Sequence, residues 1–147
     1  MPRPSRGFTM VELIVVICVM GIMATLAMTR SVDRTALHEK GFRDQLAAML
    51  RHARKLAISQ QRNVCVLLGP AQVSAVYAAG AVCNPAAPVA EPGNASPFVL
   101  AVPAGVVLAG PASVSFNASG QPSPNADQVI NVGTQVLTVS RETGIAF

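Results

Sequence analysis

The sequence contains no tryptophan, one tyrosine (Tyr77) and five phenylalanines, an aromatic share of 4%. That leaves little for stacking on nucleic-acid bases, which needs aromatic faces along a basic groove. Charge is scarce too, at 12%, and thins along the chain: after Arg62 only Glu91, Asp127, Arg141 and Glu142 remain. Both histidines, His38 and His52, lie before that point, so the second half is poorly supplied for acid–base work or metal ligation. There is no Cys-x-x-Cys, no His-Glu-x-x-His, no phosphate-binding glycine loop and no Gly-x-Ser-x-Gly. The expectation is a chain with no catalytic residues, no metal and no cofactor. Proline is missing between Ser5 and Gly69, although the chain has 11, nine of them from Pro70 onward.

What is present is apolar: 51% of 147 residues, enough for one domain and too hydrophobic for a disordered chain. The uneven charge and proline imply two differently built halves. Residues 8–28 read FTMVELIVVICVMGIMATLAM, with Glu12 the one charge. As a helix these residues would span about 31 Å, roughly the hydrocarbon core of a bilayer. A secretory signal peptide with a basic start at Arg3 and Arg6 is one reading, an uncut membrane anchor another. Neither explains Glu12, and no clear small-x-small cleavage site of the Ala-x-Ala kind follows before Arg30. A carboxylate inside a span costs about 2.5–3.5 kcal/mol on insertion scales, which marks Glu12 as functional.

The run Arg6-Gly7-Phe8-Thr9-Met10-Val11-Glu12-Leu13 resembles the processing site of type IV prepilins and of type II secretion pseudopilins. The resemblance implies that a membrane peptidase cuts between Gly7 and Phe8 and methylates the new amine on Phe8. Residues 1–7 are then a leader, 8–29 a transmembrane and assembly helix, and Glu12 an assembly residue. The amine on Phe8 would lie about 6 Å along the helix axis from Glu12. An unpaired charge in that setting is penalised, so pairing within or between subunits would reward correct stagger. Arg30, Arg34, Lys40 and Arg43 closely follow the span and would favour a cytoplasmic C-terminal side on charge alone. The motif implies the opposite: an inner-membrane, single-pass subunit with a periplasmic head, later moved into a pilus or pseudopilus. Many pilins carry a proline just after the span, where this chain has Thr29.

Residues 30–62 are expected to form an amphipathic helix. Phe42, Leu46, Met49, Leu50, Ala53, Leu56 and Ala57 recur at helical spacing, with Lys40, Arg43, Arg51, Arg54, Lys55 and Arg62 on a roughly opposite face. That basic face reads as a solvated surface in preference to a nucleic-acid or lipid-headgroup patch. A bend is expected near residues 31–33, and Gly21 and Gly41 are weak positions. His38 and His52 are too far apart for a paired metal site and read as surface or boundary residues.

From residue 63 the pattern turns to short β-branched runs between glycine, proline and asparagine. Candidate strands are 63–68, 73–78, 98–102, 105–108, 113–117, 128–132, 136–140 and 145–147, with residues 84–97 an exposed loop. The fold class expected is α+β: a long N-terminal helix packed on an antiparallel sheet, the β-rich head occupying residues 63–147. Cys18 lies in the span and reads as a small apolar residue. Cys65 and Cys83 are either buried free thiols or, in a periplasmic setting, a disulfide closing a loop of about 18 residues.

Residues 42–66, the run Ser115-Phe116-Asn117-Ala118-Ser119-Gly120-Gln121-Pro122 and the ending Val139-Ser140-Arg141-Glu142-Thr143-Gly144 resemble the minor pilins of the GspH/FimT group, MSHA-type minor pilins in particular. The resemblance implies a minor pilin assembling through its N-terminal helix into a type IV pilus or its priming tip complex. Its partners would be other pilins or pseudopilins, the prepilin peptidase/methyltransferase and inner-membrane lipid. One alternative is a minor pseudopilin of type II secretion. Another is a DNA-binding minor pilin of natural uptake, against which the ending Glu142-Thr143-Gly144-Ile145-Ala146-Phe147 offers no basic tail.

Overall fold

A computed structural model describes residues 9–28, 34–80 and 82–147, in two compact units divided between residues 34 and 35. The expected bend at 31–33 and the helix boundary at Thr29 lie outside the described residues. The first unit holds helix α1, Met10–Met28, which runs uninterrupted through Gly21. Thr9 caps it: the Glu12 N–H donates to Thr9 Oγ1 at 3.3 Å and the Leu13 N–H to Thr9 O at 3.2 Å. Among the described residues no helix is long and apolar enough to cross a membrane. The nineteen residues of α1 rise about 28 Å, and residues 8 and 29 both lie outside the described chain.

Helix α2, Arg34–Gln60, lies in the second unit from Thr35 on and also passes through its glycine, Gly41, unbroken. It ends at Gln61, whose φ of 49° turns the chain left-handed while the Arg62 N–H donates back to Ala57 O at 3.2 Å. The expected stripe is the buried one. Phe42, Leu46, Met49, Leu50, Ala53 and Ala57 are all at most 2% exposed, and Leu56 is half-buried against them.

Strands β1 (Val64–Leu68), β2 (Gln72–Ala79), β3 (Val82–Pro88), β4 (Val99–Ala101), β5 (Leu108–Ala109), β6 (Ser113–Phe116), β7 (Pro122–Ser123), β8 (Gln128–Val132) and β9 (Gln135–Val139) follow. All pair antiparallel, in two sheets instead of the single one expected. The larger has the order β3-β2-β1-β6-β7, with β4 sharing the outer edge of β2, and the smaller is β5-β8-β9. Strand alternation delivers one side chain in two to the helix: Val64, Val66, Val73, Ala75, Val114 and Phe116 from the larger sheet, and Ile130, Val132, Leu137 and Val139 from the smaller. A single core therefore joins α2 to both sheets.

Some boundaries differ from expectation, and β7 lies where no strand was expected. Residues 84–88, expected in a loop, belong to β3; Pro85 and Pro88 lack an N–H but sit on an edge strand, where a missing donor is tolerated. Residues 103–106 turn, with Gly105 at φ 85° and the Val106 N–H donating to Pro103 O at 3.1 Å; Val107 O accepts from the Gly133 N–H at 2.8 Å, and β5 starts only at Leu108. The last residues lie against β9 through paired backbone bonds between Thr138 and Phe147.

Candidate functional site

The described part of α1 is apolar all round. Met10, Val11 and Leu13 through Ile17 are 41–84% exposed, and Glu12 in the first turn is the one charge. A helix without a polar face has no surface to offer water and needs other apolar helices or lipid around it. Its carboxylate sits where the helix dipole favours a negative charge, and Thr9 holds the turn that presents it. Sequence reasoning missed the cap at Thr9, although Thr-x-x-Glu before an apolar run is its signature. Gly7 and Phe8, the expected cleavage and methylation positions, lie outside the described residues. Cys18 is a free, exposed cysteine on the same helix.

In the head, the two short motifs near the C-terminus meet on α2. Phe116 is fully buried, and Asn117 next to it folds the turn: its Oδ1 accepts from the N–H groups of Ser119 and Gln121, both at 3.0 Å. That turn carries Gly120, at φ 77°, against α2, where a Cβ would lie 2.6 Å from Ile58 Cδ1. At Gly144, φ 65°, an added Cβ would collide with the Gly120 carbonyl and lie 3.2 Å from Arg54, leaving no room for a side chain. Arg54 Nε donates to Gly120 O at 3.2 Å, while Arg51 donates through Nε and Nη2 to Ala146 O at 3.2 and 2.9 Å.

The basic residues of α2 and Arg62 just after it stay exposed or half-buried, the solvated face expected, yet most of them also make contacts within the head. Arg43 donates to Val136 O at 3.4 Å and pairs with Asp44 at 3.1 Å, and the Arg62 guanidinium stacks 4.4 Å over the Tyr77 ring. Arg43, Arg51 and Arg54 hold a strand, a turn and the C-terminal segment to the helix, and Arg62 just beyond it covers Tyr77 of β2; Lys40 and Lys55 make no hydrogen bond or ion pair among the described residues.

Near the start of α2, buried Glu39 accepts from the Thr134 hydroxyl at 2.7 Å and from the Thr134 N–H at 3.0 Å, clamping the β8–β9 turn. The hydroxyl bond first, then the backbone bond, lower its pKa against the opposing effect of burial. Gly133, at φ 57°, passes so close to this carboxylate that a Cβ would collide with it. His52 packs edge-on against Phe98, ring centroids 5.7 Å apart; desolvation, then the Lys55 charge, lower its pKa. His38 is exposed, and no cluster of His, Cys, Asp and Glu among the described residues is placed to hold a metal ion.

Cys65 on β1 and Cys83 on β3 are joined by a disulfide, Cα atoms 5.7 Å apart. It bridges across β2, on the face of the larger sheet away from α2, where Cys65 is fully buried.

An apolar helix with no polar face, an α2 packed on antiparallel sheets and a head closed by glycine turns define a pilin-type structural subunit. The start of the chain carries the prokaryotic N-terminal methylation motif, matched over residues 2–28. Residues 43–144 match the family described as type II transport protein GspH, and the chain belongs to that family. The fold is shared with the type IV minor pilin FimU of Pseudomonas aeruginosa PAO1. Two crystal forms of that protein superpose with TM-scores of 0.56 and 0.54 at 20% and 19% identity, covering 74% of this chain and 85% and 90% of theirs. The type IV narrow pilus major component PilA5 of Thermus thermophilus is 35% identical over 60 residues, 41% of this chain. This chain spans about half the length of that relative, 52%. No MSHA-type pilin is among these relatives.

Proposed function

We propose that the protein is a minor subunit of a type IV pilus or of its tip complex, cut between Gly7 and Phe8, methylated on Phe8 and anchored in the inner membrane before assembly. One observation carries the reading: α1 exposes apolar side chains on every side and one carboxylate, Glu12, in its first turn. In a low-dielectric bundle that carboxylate needs a cation, and the amine freed on Phe8 would lie about 6 Å away along the axis. Other pilins supply the surrounding helices, and the head faces outward.

Glu12→Ala should leave peptidase cleavage intact and sharply reduce the labelled chain in sheared filaments, both read by immunoblot. Normal incorporation of the variant would sink the role given to Glu12. A second reading, a minor pseudopilin of type II secretion, is favoured by the family match over residues 43–144. Deleting the chain should then impair protein export and leave surface filaments unchanged. DNA uptake gains no support, since the sequence has no tryptophan and a single tyrosine to stack on bases.

A further inference from the structure

Beside α2 lies an open groove of about 510 Å³, lined by Arg51, Arg54, Lys55, Ile58, Ser59 and Ile145. Its floor is apolar, Ile58 and Ile145 being 39% and 45% exposed, and its rim is cationic with no carboxylate in the lining. Arg51 and Arg54 are held by carbonyls through Nε, and Arg51 also through Nη2. Their other guanidinium nitrogens make no hydrogen bond among the described residues. Donors fixed in this way lose little freedom when they receive an anion.

The head carries a matching knob. Between β3 and β4 the chain makes a tight hairpin: the Phe98 N–H donates to Val89 O at 2.7 Å, the Glu91 N–H to Ser96 O at 2.8 Å, and the Asn94 N–H to Glu91 O at 3.0 Å. Its tip, Glu91-Pro92-Gly93-Asn94, is small, exposed and stiffened by proline. Asp127 accepts from the Arg141 N–H and Glu142 lies 4.0 Å from Arg141. Glu91 is therefore the carboxylate of the β-rich head that has no partner among the described residues.

We infer that the Glu91 hairpin tip of one copy docks in the Arg51–Arg54–Lys55 groove of a second copy. Knob and groove are different surfaces, so the contact is heterologous and each copy offers both halves. It rests on the reading of the chain as a filament subunit, yet it involves only residues of the second unit and is independent of Glu12.

The test uses full-length chain in detergent with Cys18→Ser, one tagged population carrying Ser59→Cys and another Asn94→Cys, both at exposed positions. Mild oxidation should yield a mixed cross-linked dimer. Lys55→Glu on the groove copy should lower its yield by up to about fivefold, the upper end for an exposed ion pair, and Glu91→Lys on the tip copy should restore it. Absence of the mixed dimer, or a yield indifferent to Lys55→Glu, overturns the proposal. So does capture of position 59 by a different pilin, in place of a second copy, in membranes expressing both. Sheared-filament content of the same chains reads the assembly role separately.

Discussion

Single residues in the head are constrained more by what approaches them than by their own chemistry. Gly133 shows this: its φ of 57° is accessible to other residues at a cost, but the Glu39 carboxylate occupies the space where a Cβ would go. Gly133→Ala should therefore cost about 1–3 kcal/mol, the combined effect of a left-handed non-glycine residue and a displaced clamp. Urea unfolding of the full chain in detergent checks this. Gly80, also at positive φ but with open space around it, is the control, and its alanine variant should lose less.

At the scale of elements, α2 is the common wall of both sheets, so damage to its stripe should be felt everywhere. Leu46 is fully buried in the core that joins them, and Leu46→Ala should destabilise by about 2–5 kcal/mol with one cooperative transition. Separate transitions for the two sheets would show that the shared core does not couple them. The disulfide acts on a different element: it ties β3, whose two prolines weaken its pairing, to β1 across a separation of 18 residues. Reduction should lower stability by about 3 kcal/mol through the unfolded chain's regained freedom, read as a shift in urea midpoint with and without reductant.

At the scale of the whole molecule, two titrating groups link folding to pH in the same direction. His52 is harder to protonate in the folded head than its ordinary 6.5, so its share of stability is complete above that value and falls away below it. Glu39 is easier to ionise than its ordinary 4.5, so its share persists lower and is lost as the carboxylate takes up a proton through its depressed native value. Stability should thus be flat at neutral pH and decline in two stages on acidification. Glu39→Gln should remove the second stage, which pH-dependent urea midpoints would reveal.

The sequence by itself determined whatever repeats locally or is written in consecutive residues. The leader-like run, the apolar α1, the 3.6-residue stripe of α2 and the alternation of β1, β2, β6, β8 and β9 were all legible, because each depends on neighbours within a turn or a strand. Tertiary structure alone decided how the pieces are fastened. Glu39 and Thr134 stand 95 residues apart, as do Arg51 and Ala146, and nothing local marks them as partners. For the same reason β3 looked like a loop, and neither the bonds of the arginines into the head nor the meeting of the two glycine motifs on α2 was foreseen. Periodicity reports which face is buried; only the folded chain shows which groups that burial leaves in need of a partner, and where they find one.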